Sequence, residues 1–252
     1  MGFEIRQFSK PELNNPVLIE GLPGIGNVGK IAADFMIDSL KAKKFIEIHS
    51  TSFPNSVFVN EFNLVDLPLI NVYYKKLKKQ DLIFIAGDIQ PLNEEACYNF
   101  CNIVLDLFEK YKVKEIITMG GIGMPKIPRS PLVYCTANSQ DIIKKYKTKN
   151  LDEKIFGIVG PIIGVTGLLV GLAGKRKIPA IALLAQTFGH PNYLGIKGSR
   201  EVLDILNKKL NLNLNIEKLD QEIHDIEKEI KTKKIVELPK IMKAKDETSY
   251  IG

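Results

Sequence analysis

Short apolar runs alternate with longer stretches of helical spacing between residues 16 and 210. Residues 16–20 read as a strand that ends at Gly21-Leu22-Pro23-Gly24. Val28–Leu40 follows, with Val28, Ile31, Ala32, Phe35 and Leu40 supplying i, i+3 and i+4 pairs, the spacing of an amphipathic helix. Residues 45–49, 71–74 and 82–86 are predicted strands. Residues 93–111 form a long helix that Asn93 caps, with Ala96, Phe100, Val104, Leu107 and Phe108 on one stripe. Strands are predicted again at 115–119, which ends in Gly120-Gly121, at 132–136 and at 178–185. Helices are predicted at Gln140–Tyr146 and at 199–210, the latter capped by Ser199.

The strands at 82–86, 116–118, 155–159 and 181–184 are apolar throughout, as strands buried on both faces are. Separated by helices, they argue for a mostly parallel sheet covered on both sides, an α/β fold. Residues 50–77 are more β-like and suit a hairpin or an edge addition. No internal repeat is present.

Residues 155–174 carry no charge and are flanked by Lys154 and by Lys175-Arg176-Lys177. That length suffices to span a bilayer, and Gly160, Gly164, Gly167 and Gly171 resemble helix-packing glycines. However, Gly157, Gly160 and Pro161 interrupt its first third, and Pro161 pushes Gly160 out of the helical region. The reading is a buried strand at 155–159, a glycine-rich turn, and a buried helix at 164–173, with no membrane insertion. The amino terminus has no apolar run, so no signal peptide is expected, and Arg6 stands where a myristoylation signal wants Ser or Thr.

The pattern changes near residue 212. Ile216, Leu219, Ile223, Ile226 and Ile230 are spaced three, four, three, four, an a/d seam of about two heptads. Such a helix either packs on its own domain or pairs with another subunit. After Pro239 the chain is polar and lysine-rich. The expected division is a globular domain at 1–212, an amphipathic helix at 213–235 and a mobile basic tail at 236–252.

Composition changes this picture little. Of 252 residues, 45% are hydrophobic and 25% charged, an ordinary globular balance. The net charge of +6 permits nucleic-acid contact, but aromatic residues do not interleave with the basic ones, so no nucleic-acid partner is expected. Cys97, Cys101 and Cys135 form no CxxC, and His49, His190 and His224 are scattered. They read as buried thiols in a reducing, cytoplasmic compartment, with no metal site.

The motif that points most directly to chemistry is Leu22-Pro23-Gly24-Ile25-Gly26-Asn27-Val28-Gly29-Lys30, between a strand and a helix. Gly24, Gly26 and Gly29 match the dinucleotide fingerprint, whose glycines let backbone N–H groups approach a phosphate. The acid that would meet the ribose is Glu47, inside the next strand. The same stretch nearly fits a Walker A loop through Gly24, Gly29 and Lys30, with Asp88 in the place of a Walker B acid. Ile31 stands where Ser or Thr should bind magnesium, which removes the part that chemistry needs. The competing reading is a tight turn where the first helix packs closely on the sheet. No Gly-x-Ser-x-Gly elbow and no HExxH occurs. Glu94 and Glu95 fall in a first helical turn, where acids favour the dipole.

Three passages together carry a family resemblance: Glu20-Gly21-Leu22-Pro23-Gly24-Ile25-Gly26-Asn27-Val28-Gly29, then Gly160-Pro161-Ile162-Ile163-Gly164-Val165-Thr166-Gly167-Leu168-Leu169, then Thr187-Phe188-Gly189-His190-Pro191-Asn192-Tyr193 running into the helix from Ser199. In this order, over roughly residues 10–230, the chain resembles the archaeal proteasome assembly chaperone family, second type. The resemblance implies a three-layer α/β/α sandwich, similar to nucleoside phosphorylases but without their catalytic equipment. It also implies a homo- or hetero-oligomeric protein binder that helps assemble, or docks on, the α-subunit ring of the 20S proteasome without ATP, with no cofactor, and this chain is read as a homo-oligomer. Some relatives of that family end in a hydrophobic–tyrosine–any-residue tail. This chain ends Thr248-Ser249-Tyr250-Ile251-Gly252, with the tyrosine one place too early. Tyr250, Ile251 and Gly252 are nevertheless candidates for carboxylate capture in a partner's pocket, and the isoleucine seam is the candidate for oligomerisation. The alternative is a phosphorylase-like or Rossmann-like enzyme that places a nucleotide or nucleoside on Gly24, Gly26, Gly29 and Lys30.

Overall fold

In the computed structural model, which describes residues 2–217 and 219–221, the strands predicted in the first half of the chain meet those of the second half at the centre of one sheet. The elements are β1 (Phe3–Gln7), β2 (Val17–Gly21), α1 (Val28–Leu40), β3 (Lys43–Ser50), β4 (Phe58–Val59), β5 (Val65–Asp66), β6 (Ile70–Lys75) and β7 (Leu82–Gly87). They continue with α2 (Glu94–Glu109), β8 (Glu115–Met124), β9 (Val133–Ala137), α3 (Gln140–Tyr146), β10 (Leu151–Asp152), α4 (Val165–Lys175), β11 (Ala180–Phe188) and α5 (Ile196–Leu210).

Among the described residues, nine strands form the main sheet in the order β1-β3-β6-β7-β2-β8-β11-β9-β10, and β4 and β5 pair separately. β7, β2, β8 and β11 are mutually parallel. These strands are almost wholly buried, and helices cover both their faces. The flank β1-β3-β6-β7 is antiparallel, and β9 is antiparallel to β11. The sheet is therefore parallel at its centre and mixed at its margins. α1, α3 and α5 pack on one face and α2 and α4 on the other, which gives the expected three layers.

Side-chain parity sets what each face buries. In β2, Val17, Ile19 and Gly21 face α1, while Leu18 and Glu20 face α2 and α4. The α2 stripe buries Ala96, Phe100, Val104 and Phe108, each large side chain contributing about 1.5–3 kcal/mol. Asn93 caps this helix as expected, its side chain accepting the Ala96 N–H at 2.8 Å. At the opposite end of the sheet, the Glu115 carboxylate is held by Tyr146 Oη at 2.6 Å and Lys145 Nζ at 2.5 Å.

Two local expectations are corrected. Residues 155–159 are not a buried strand: Phe156 and Val159 form an isolated bridge around Gly157, which has φ +82°, and Phe156 is fully exposed. Ser199 does not cap α5, which begins at Ile196. Its hydroxyl instead lies 3.0 Å from the Val28 and Gly195 carbonyl oxygens. No described helix is long and apolar enough to cross a membrane. The chain divides into two units, Met1–Ile216 and Glu217–Gly252. Of the second, Glu217 and Leu219–Gln221 are helical. Ile223, Ile226 and Ile230 of the seam, and Tyr250, Ile251 and Gly252 of the tail, lie outside the described residues.

Candidate interaction face

The glycine loop leaves the carboxyl end of β2 and enters α1 through a 3₁₀ turn, Ile25–Asn27. Its glycines meet different surroundings. A side chain on Gly29 would place Cβ 2.2 Å from the Met119 carbonyl oxygen of β8. Gly26 has φ +63°, and a Cβ there would lie 2.5 Å from Thr187 Oγ1 of β11. Gly24 is exposed, with nothing within 4 Å of the Cβ position. Gly26 and Gly29 thus let α1 close on the sheet. Lys30 turns to Asp34 at 2.9 Å and Asp88 at 3.3 Å. Both contacts occupy the ammonium that a phosphate would need. Glu47 pairs with Lys44 on β3.

The three passages that carry the family resemblance converge here. Glu20 is fully buried at the end of β2. Its Oε1 accepts the Leu22 N–H at 2.9 Å, and Thr166 of α4 lies 3.3 Å from Oε2. Burial pushes the Glu20 carboxyl up to about 7, against the two hydrogen bonds that lower it. Gln90 ties the same region together, donating to the Pro23 carbonyl at 2.6 Å and accepting the Val165 N–H at 3.2 Å. Gly195 N–H donates to the Gly26 carbonyl at 2.7 Å. The first passage is thereby fastened to the second through Glu20 and Gln90. It is fastened to the third through Gly26, Thr187, Gly195 and Ser199.

Above this junction lies an open cavity of about 440 Å³. Gly24, Ile25, Gln90, Gly120–Gly123 and the loop from Ile158 to Ile163 line it. Beside it runs a second groove of about 450 Å³ between the start of α2 and the glycine side of α4, walled by Leu92, Tyr98, Ile163 and Leu168. The position is the carboxyl end of the parallel strands, where open α/β sheets bind their partners.

The exposed apolar residues follow the same geography. Among the described residues, all large exposed hydrophobic side chains except Ile5 and Phe8 sit at this end of the sheet. Ile25, Leu92, Ile127 and Leu194 follow β2, β7, β8 and β11. Phe156, Ile158 and Ile163 occupy the loop before α4. Seven more are carried by the 57–67 segment between β3 and β6. Scattered exposed leucines are ordinary, but a patch gathered on one face marks an interaction surface.

Sequence patterning placed the glycine loop here but missed the apolar rim. The rim residues sit in apolar runs too short, or too dense on both parities, to mark one buried face. Cys97, Cys101 and Cys135 are free and buried, Cys97 beneath the second groove with its thiol 3.2 Å from the Pro91 carbonyl oxygen. Among the described residues, no group of three His, Cys, Asp or Glu side chains suits a metal ion.

The PAC2 family model matches residues 18–234. An uncharacterized Methanocaldococcus jannaschii protein, MJ1210, is 30% identical over 247 residues, 95% of this chain and 93% of that one. Pyrococcus furiosus PbaB, an archaeal proteasome activator, is 31% identical, and its crystal structure superimposes with a TM-score of 0.85 over 92% of this chain and 98% of that one. P. furiosus PbaA, an archaeal homolog of proteasome-assembly chaperone, shares the fold at 24% identity and a TM-score of 0.75, over 92% of each chain.

Proposed function

The chain belongs to the PAC2 family, and on that basis we propose that it is a protein-binding factor of the proteasome rather than an enzyme. In this reading it acts in the cytoplasm as a homo-oligomer and docks on the α ring of the 20S proteasome without ATP. The observation that carries the proposal is the similarity to PbaB, which extends over nearly the whole of both chains. The concentration of apolar side chains at one end of the sheet supports a protein partner.

In this reading docking uses Tyr250, Ile251 and Gly252, whose aromatic and aliphatic side chains suit a pocket between subunits. Self-association multiplies these termini. Several weak tails on one assembly then bind through effective concentration, without any single strong contact. The seam of Ile216, Leu219, Ile223, Ile226 and Ile230 is one surface through which copies can pair.

The test is a pull-down of purified 20S α ring by the full-length chain beside a chain lacking residues 249–252. Loss of binding on truncation, with an unchanged melting temperature, is the expected outcome. Equal binding by both forms overturns the tail as the docking element, and binding by neither overturns the α ring as partner. The nucleotide reading has less support from the geometry, because Gly26 and Gly29 are taken up by packing and Lys30 is already paired.

A further inference from the structure

The connection from β3 to β6 leaves the main sheet and forms the β4–β5 hairpin. Val57, Val59, Phe62, Leu64, Val65 and Leu67 are each at least half exposed, and Phe58 is 40% exposed. At about 200 Å² for an aromatic side chain and less for valine and leucine, this is on the order of 700 Å² of surface shared between the two faces of the hairpin. It approaches what each partner contributes to a standard stable interface, about 800 Å².

The hairpin is nonetheless ordered from within. Asn60 Oδ1 accepts the N–H groups of Phe62 and Leu64, both at 3.0 Å, and its Nδ2 donates to Asp66 at 3.0 Å. Val59 and Val65 stand opposite one another across the two strands. Consecutive exposed residues at 57–59 leave both faces apolar. A two-stranded hairpin in this state is marginal in water and needs a cover.

We propose that the β4–β5 hairpin is a self-association surface, closed by the same hairpin of a second copy of this chain. A partner met only transiently leaves the patch bare between encounters, whereas another copy is always present in fixed proportion. Obligate interfaces between copies are also the more apolar kind. The segment 57–67 contains only two charges, Glu61 and Asp66, and Asp66 is already bonded to Asn60. Two hairpins related by a twofold axis present the same apolar face to each other and pack face against face. This inference deepens the homo-oligomeric reading above and rests on it.

The experiment is sedimentation equilibrium on the full-length chain and on V59E/V65K. The variant removes apolar surface but keeps a favourable cross-strand pair in the hairpin. The wild type is expected at two or more times the chain mass of 28.2 kDa, and the variant at half the wild-type mass or less, with an unchanged circular dichroism spectrum. Should the variant not fold, hydrogen exchange on the wild type decides: amides 57–67 should lose protection on dilution. A wild type that is monomeric overturns both the hairpin surface and the homo-oligomer. An oligomeric wild type whose mass V59E/V65K leaves unchanged, or whose hairpin protection ignores dilution, overturns the hairpin surface alone.

Discussion

Replacing Gly29 by alanine separates the packing and phosphate readings of the glycine loop. Gly29 is buried in the first turn of α1, and an added Cβ would stand 2.2 Å from Met119 O and 2.9 Å from Met119 C. Ordinary contact begins near 3.4 Å, so α1 must retreat from β8 by about 1 Å. Neither side can yield locally, because the obstacle is the backbone of a central strand paired on both edges. Overpacking of this kind costs about 1–3 kcal/mol and belongs at the upper end here. Alanine returns about 1 kcal/mol through its helix preference. The net loss is about 2 kcal/mol, a fall in Tm of roughly 4–8 °C for a domain of this size. Gly24→Ala is the control: its Cβ meets nothing within 4 Å, and its φ of −158° is open to alanine. Thermal and urea melts followed by circular dichroism, with and without added phosphate, read both variants. The packing argument fails if Gly29→Ala melts with the wild type, or if Gly24→Ala loses as much.

Glu20 should make stability depend on pH. Its folded-state pKa of about 7 stands above the ordinary 4.5 because burial disfavours the charge. Between those values the native state keeps a proton that the unfolded chain has lost, so stability falls as pH rises from about 4.5 to 7, by roughly 3 kcal/mol in all. Glu20→Gln should flatten that slope in urea melts, and a variant that keeps the wild-type slope removes Glu20 as its source. Burial also raises the pKa of all three thiols, with Cys135 pushed up to about 11. A thiol reagent at pH 8 should therefore label none of them rapidly until urea unfolds the chain, and fast labelling of the native protein contradicts this.

Much of the architecture was legible because a single physical rule decided each element. α1 has the bounds that its apolar spacing predicts, and Asn93 caps α2 where its side chain reaches a free N–H. Three of the four central strands, β7, β8 and β11, were readable as buried on both faces; β2, which carries Glu20, was read only as a strand, and the order of the four was not readable, since pairing between distant segments leaves no local trace. β1 was missed because Phe3–Gln7 is a short edge strand whose residues are mostly exposed, with Glu4 and Arg6 interrupting the apolar pattern. β8 was read too short because Gly120-Gly121 resembles a terminator. The strand runs on to Met124, and Gly121 is required because a side chain there would strike the Ile25 carbonyl at 2.2 Å. Residues 155–159 were misread for a related reason: an apolar run is taken as core, but here it forms an exposed loop.

The misreading of residues 155–159 points the same way as the exposed hairpin. Where sequence patterning equates apolar with buried, it fails at exposed apolar surface, and here that surface lies at one end of the sheet. Lysines gather at the other end. Lys41, Lys43, Lys78, Lys79, Lys112, Lys114 and Lys177 all lie where β3, β7, β8 and β11 begin or where α1 and α4 finish. These seven lysines are thus set back from the apolar rim by the length of the central strands, about 20–30 Å at 3.3 Å per residue. At ordinary ionic strength that distance is well beyond the screening length of about 8–10 Å. A protein that closes on the apolar end is therefore screened from these seven lysines and meets instead the local charges, among them Lys126, Arg129 and Lys154 beside the rim and Glu61 and Asp66 in the hairpin. The fold thus separates an apolar end from a basic end along one axis, and it is the apolar end whose chemistry suits a protein partner.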